Sequence, residues 1–180
     1  MMRRLLPLAA FALLVALLYA GVRMNSGRDV SAIPSPLIGK SVPAFSLPVL
    51  GDPARMVSSN DLLGQPYLLN VWGSWCPTCR DEQAQLTALS NSGKIRVIGY
   101  NYKDAPEDAI AWLKEFGNPF ELIIADEDGR VALDWGIYGA PETFLVDGKG
   151  IVRWKLIGPI TDAIISEQIW PVLATMEKTP

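Results

Sequence analysis

Histidine is absent from this 180-residue chain, and cysteine occurs only twice. These shortages remove several chemistries at once. Structural zinc takes four nitrogen or sulfur ligands, which two cysteines and no imidazole cannot supply within one chain, so no metal site of that kind is expected. A haem of the usual histidine-ligated kind is excluded for the same reason. Lys and Arg number 16 against 19 Asp and Glu, and no basic block stands out. Without such a block the chain has little to offer a phosphate backbone, so nucleic acid is not an expected partner. Internal repeats and a flavin or nicotinamide fingerprint are lacking too.

Charge is also missing from Leu5 to Val22, between Arg3 and Arg4 on one side and Arg23 on the other. As a helix this run would span about 27 Å at ~1.5 Å per residue, close to a hydrocarbon core. We expect residues 1–24 to form a membrane anchor, with the preceding arginines favouring an N-in, C-out orientation that Arg23 and Arg28 weaken. A cleaved signal is the alternative: Ala20 offers a cleavage position, but Leu18 is not small and the run exceeds a usual signal core. A buried core helix fits poorly, because the segment is apolar all round. Under either reading the remainder leaves the cytoplasm. Residues 25–36, "NSGRDVSAIPSP", read as a tether, which leaves residues 37–180 as one domain. With 49% of the chain apolar, a substantial core is available to it.

Within that domain "PAFSLPVL" suits an edge strand, broken as it is by Pro43 and Pro48. "YLLNVW", Tyr67 to Trp72, has the continuous apolar character of a strand buried on both faces. A helix beginning near Pro77 and carrying Leu86 and Leu89 runs to "SNSG", and "IRVIGY" is the next strand. Strand, helix, strand suggests a parallel crossover. "APEDAIAWLKEFG" is punctuated as a second helix, "ELIIA" as a strand, and "RVALDWGI" as a short helix or turn. "TFLVD", "GKG" and "IVRWKLI" form a hairpin, and a last helix from Thr161 to Met176 should be kinked or divided by Pro171. The order describes an α/β fold with a mixed central β-sheet flanked by helices.

Both cysteines fall in "NVWGSWCPTCRDEQAQL". A bridge between Cys76 and Cys79 closes a very small loop and removes little unfolded-chain entropy, so it is a poor staple. A soft ion such as Cu(I) on the two thiolates stays open as a binding-module alternative, although none of the five methionines lies near the motif. Reactive chemistry has a mechanism. Cys76 stands where a strand ends and a helix begins, so its sulfur should face unpaired N–H groups that favour a thiolate. Arg80 could add to this, or serve as a solvated surface charge. Cys79, a turn deeper, should be less exposed. Cys76 then attacks a substrate disulfide and Cys79 resolves the mixed disulfide. Trp75 reads equally as a platform beside the sulfur or as core.

"WCPTC" after a buried strand, with "GIYGAPETFLVD" further on, resembles the thioredoxin superfamily. That resemblance implies a thioredoxin-like fold, a cis-proline loop at Pro141 beside the cysteines, and backbone hydrogen bonds from Ala140 to an extended substrate. Together with the anchor, "LLNVWGSWCPTCR" and "GIYGAPETFLVD" most resemble the thiol:disulfide interchange proteins of cytochrome c maturation, the CcmG/DsbE type, over roughly Pro36 to the C-terminus. Residues 101–120 are similar to the extra helix of that branch. The likeness implies a protein-disulfide reductase in a bacterial inner membrane, single pass, with its domain on the periplasmic side. It needs no cofactor beyond the Cys76 to Cys79 disulfide. Its partners would be apocytochrome c or a haem-ligation protein as substrate and a membrane thiol transporter as electron donor. A general extracytoplasmic reductase or an oxidant is the alternative, since Pro77 and Thr78 replace thioredoxin's Gly-Pro and tune the potential. Where thioredoxins carry a buried aspartate this chain has Asn70, which cannot accept a proton. Glu142 and Glu82 are the candidates to replace it.

Overall fold

Tyr67–Trp72 (β3) is buried along its whole length, and its alternation divides the molecule. Tyr67, Leu69 and Val71 enter one apolar cluster; Leu68 and Trp72 enter another on the opposite face. β3 can be buried twice because it lies inside a seven-stranded sheet of order β2-β1-β5-β4-β3-β6-β7. The other strands are β1 (Ser46–Val49), β2 (Asp52–Ser58), β4 (Arg96–Tyr102), β5 (Leu122–Asp126), β6 (Glu142–Val146) and β7 (Val152–Ile157). β3, β4 and β5 run parallel, while β6 and β7 on one side and β1 and β2 on the other run antiparallel to their neighbours. The sheet is therefore mixed, as expected.

This computed structural model describes residues 2–25 and 35–176. The chain divides into two units, Met1–Ile33 and Pro34–Pro180. Of the first unit the described part is one helix, α1 (Met2–Asn25), with Pro7 inside it and Phe11, Leu13, Leu14, Leu17, Leu18, Tyr19 and Val22 all exposed. Among the described residues, which leave out the side chains of 2–6, 8–9 and 24–25, no helix is long and apolar enough to cross a membrane. The expected tether lies almost entirely outside the described residues.

In the second unit, α2 (Pro77–Asp81), α3 (Gln83–Asn91), α4 (Pro106–Phe116) and α7 (Trp170–Met176) bury residues against the Leu68 and Trp72 face. α5 (Arg130–Asp134) covers the opposite face with Ala132. Trp72 stacks on Phe120 and meets Trp112, with ring centroids 5.6 and 5.1 Å away. That packing explains a glycine inside β4: a Cβ on Gly99 would stand 3.0 Å from both Phe120 and the Trp72 indole nitrogen.

Two elements differ from the sequence expectation, and a third follows it. β2 went unseen because "DPARMVS" exposes most of its side chains at the sheet edge and is held by its ladder to β1. The helix after the cysteines is two helices, separated at Glu82, whose φ of −95° and ψ of 0° leave the regular helix. The C-terminal helix is divided, as Pro171 suggested. A short α6 (Asp162–Ile164) passes through a wider π-turn over Ile165–Ile169 into α7, where Pro171 sits in the first turn and needs no N–H partner.

Candidate active site

Cys76 and Cys79 are joined as a disulfide at the point where β3 gives way to α2. Cys76 is the N-cap of α2, its sulfur accepting a hydrogen bond from the Cys79 N–H at 3.1 Å, and Pro77 occupies the first turn where a missing N–H costs nothing. The donor that caps the helix is thus also the donor aimed at the reactive sulfur. A thiolate formed there on reduction would meet that N–H with full charge, a stronger bond than a neutral sulfur makes. The expected difference in exposure is small, with Cys76 at 3% and Cys79 at 1%. Both sulfurs belong to the cluster that holds Leu86 and Leu89, while Pro77 and Thr78 between them are exposed. Arg80 lies over the Phe116 ring, 5.5 Å from its centroid, an exposed cation–π contact.

Trp75 is 48% exposed. Its indole N–H donates to the Tyr102 carbonyl at 3.0 Å, and the ring lies over Gly73, where a Cβ would come within 2.5 Å of the indole nitrogen. A glycine is required at that approach. Ser74 next door donates from its backbone N–H and its hydroxyl to the two oxygens of Asp104, both at 2.6 Å. Asn101 Nδ2 adds a third bond to the same carboxylate at 2.8 Å.

Asn70 and Glu82 meet. Glu82 is fully buried, one turn beyond Cys79, and its Oε1 accepts from Asn70 Nδ2 at 2.8 Å while its Oε2 accepts from the Ile160 N–H at 2.7 Å. Burial pushes its pKa from an ordinary 4.5 up to about 7; the bonds from Ile160 and Asn70 oppose that rise but do not cancel it. Asn70 Nδ2 also donates to Thr143 Oγ1 at 3.1 Å, tying the acid to β6. A carboxylate has thus returned to the locus where the sequence offered only an amide, brought in from the helix instead of the strand.

Pro141 follows a cis peptide bond after Ala140. Ala140 packs partly buried against the cluster that contains both cysteines, and none of the sheet's pairings or the turn hydrogen bonds occupies its backbone. Glu142 goes elsewhere. Opposite Val71 in the register, it faces the other side of the sheet from Asn70 and Thr143. Its Oε1 accepts from the N–H groups of Tyr138 and Gly139 at 2.7 and 3.1 Å, and its Oε2 pairs with Lys155 Nζ at 2.7 Å, both side chains almost wholly buried. It braces the loop that presents Pro141. The short segment after β7 completes the frame: Gly158 donates to the Pro141 carbonyl at 2.9 Å two residues before Ile160 reaches Glu82.

The structure therefore brings Cys76, Cys79 and Glu82 to one face of the sheet with Asn70 and Thr143, sets Trp75 at its rim, and separates Glu142 from them. Asp104, Asn101 and Thr143 escaped sequence reasoning because only strand register brings them here. Two concavities lie elsewhere among the described residues, one of about 440 Å³ beside Asp147 and Arg153 and one of about 560 Å³ beside Lys94 and Trp170. Among the described residues no group of acids or thiols is arranged to hold a metal ion.

A dithiol here reduces a disulfide in two steps. One thiolate displaces a substrate sulfur and forms a mixed disulfide; the second then attacks the bonded enzyme sulfur, closing the Cys76–Cys79 bond and releasing the other substrate thiol. Two electrons and two protons have moved. Chemistry of this kind on a sheet of this order defines a thioredoxin-like thiol:disulfide oxidoreductase.

The Redoxin family model matches residues 37–168. The thiol:disulfide interchange protein DsbE of Pseudomonas aeruginosa is 46% identical over 176 residues, covering 98% of this chain and 95% of that protein. Its Escherichia coli (strain K12) counterpart, also DsbE, is 48% identical over 170 residues, covering 93% and 91%. A crystal structure from Chlorobium tepidum, itself assigned as a DsbE, superposes with a TM-score of 0.62 at 26% identity, covering 76% of this chain and 97% of that one. The chain belongs to the Redoxin family and, within it, to the DsbE-type thiol:disulfide interchange proteins.

Proposed function

We propose that the domain is a periplasmic reductase, held at the inner membrane by its N-terminal helix, that keeps the cysteines of apocytochrome c or a haem-ligation partner reduced for haem attachment. The observation that carries this reading is Glu82, a buried carboxyl with a pKa of about 7 one turn beyond Cys79. Resolution of the mixed disulfide requires the Cys79 thiol to lose its proton inside an apolar cluster, and a base that titrates near neutrality is matched to that transfer. Cys76 is the attacking sulfur, Cys79 the resolving one, Trp75 the platform, and Ala140 with Pro141 the edge on which an extended substrate lies. Pro77 and Thr78 set the potential of the pair. Glu142 supports this indirectly, by holding the Tyr138 and Gly139 backbone.

The anchor is supported by the uncharged run from Leu5 to Val22 and by the outward apolar side chains of α1. In an oxidising compartment a reductase must be recharged, so a membrane thiol transporter is the expected donor. The test is the reduction potential of the domain, obtained by equilibration in dithiothreitol buffers with alkylation as readout. A value nearer ~−270 mV than ~−120 mV is expected for a reductant. A value at the oxidising end would reverse the electron flow and remove this proposal.

A further inference from the structure

Asp104 lies outside the cysteine motif and the cis-proline loop, yet its carboxylate takes three hydrogen bonds close to the cysteines. Almost buried, it takes the Ser74 N–H, the Ser74 hydroxyl and the Asn101 amide on its two oxygens. Ser74 is two residues from Cys76, and Cys76 is itself tied to the same loop by its N–H to the Gly73 carbonyl at 3.1 Å. The second fastening is Trp75, bonded to the Tyr102 carbonyl. Both lead to the end of β4, where Lys103 holds a left-handed φ of 48°, a conformation that an L residue keeps only where its surroundings impose it. That bend delivers Asp104 to Ser74. Gly129 packs against it so closely that a Cβ there would come within 2.5 Å of the Lys103 side chain.

We propose that Asp104 is a positioning residue of the exchange reaction, which clamps the Gly73 to Trp75 loop and so presents the Cys76 sulfur and the Trp75 indole in one fixed geometry. Sulfur attack on a disulfide requires near-linear approach of three sulfurs, so a loop that wanders lowers the fraction of productive encounters. The proposal rests on the exchange activity and not on the direction of electron flow, so it survives a failed reductase assignment.

The test uses the full chain carrying Cys79→Ser, which confines the reaction to its first step: the Cys76 thiolate attacks oxidised glutathione, forms a mixed disulfide with it and releases one glutathione thiolate. The rate is read at a pH above the Cys76 titration, where a change in thiol ionisation no longer contributes, and is referred to the folded fraction from thermal unfolding. Loss of charge-assisted bonds to Asp104 in Asp104→Ala should slow the step by about tenfold. Asp104→Asn keeps an acceptor for the Ser74 N–H and should recover part of the rate. Ser74→Ala should add nothing when combined with Asp104→Ala, because both open the same clamp. A rate for Asp104→Ala within about twofold of its parent, or slowdowns that multiply in the double variant, would overturn the proposal. Should Asp104→Ala fail to fold, the double variant Ser74→Ala with Asp104→Asn carries the test, since it removes the hydroxyl bond and the charge and leaves the Ser74 N–H only a neutral acceptor: a clear slowing supports the clamp, and an unchanged rate refutes it.

Discussion

Glu82→Gln should gain stability relative to the parent as pH rises from acid to alkaline. In an unfolded chain this carboxyl titrates near 4.5, whereas in the fold it holds its proton up to about 7. Between those values the native state binds more protons than the unfolded one, so the parent loses stability as pH rises through the window. Below 4.5 the contribution is fully present, and above 7 its loss is complete. The displacement is worth about 3 kcal/mol at ~1.4 kcal/mol per pH unit. A glutamine is never charged and escapes the loss, but its amide turns one donor toward Asn70 or Ile160, which costs about 1 to 3 kcal/mol at every pH. That constant offset cancels in the comparison between pH values. Urea unfolding of the oxidised protein and of Glu82→Gln at pH 4, 6 and 8 should show their difference shifting by about 3 kcal/mol toward the variant, with most of the change between the first and last points. A difference that stays flat across pH would refute a proton site at Glu82, since no other titrating group differs between the two proteins.

Cys79→Ser should accumulate mixed disulfides with protein substrates on non-reducing gels and Cys76→Ser should not; equal trapping would reverse the roles. Asn70→Asp places a second carboxyl against Glu82, so the pair should hold one proton past neutrality, with a stability deficit at pH 8 that shrinks at pH 4. Lys155→Met leaves the buried Glu142 charge without its partner, an expected loss of about 3 to 5 kcal/mol by urea unfolding. Adding Glu142→Gln to that variant should restore much of it, whereas no restoration would mean that Lys155 acts through packing.

The parts of the fold legible in the sequence are those whose neighbours are local or wholly apolar. β3, the β6 to β7 hairpin and the division at Pro171 announce themselves by composition and turn chemistry. β2 does not, because an edge strand needs few buried side chains and draws its order from the partner beside it. The break at Glu82 had a signal that passed unread. Helical spacing puts Glu82 on the stripe of Cys79, Leu86 and Leu89, so the acid stands in phase with the core and not with solvent. Glu142 gives the opposite lesson. Adjacent to Pro141 in sequence, it is sent to the far face by the strand's two-residue period. Asp104 could not be found locally at all, because its partner lies thirty positions away across two parallel strands.

The Glu82 carboxyl is assembled from distant pieces: Asn70 from β3, Thr143 beyond it from β6, and the N–H of Ile160, which lies 78 positions down the chain. Asn70 precedes the cysteines, but the Ile160 bond and the β6 contact depend on segments translated after them. During synthesis Cys76 and Cys79 emerge before those segments, beside a glutamate that is still hydrated and ordinary. Its raised pKa comes into existence when the last strand and the segment after it dock, so the acid beside the cysteines titrates as an ordinary carboxyl until the fold is finished.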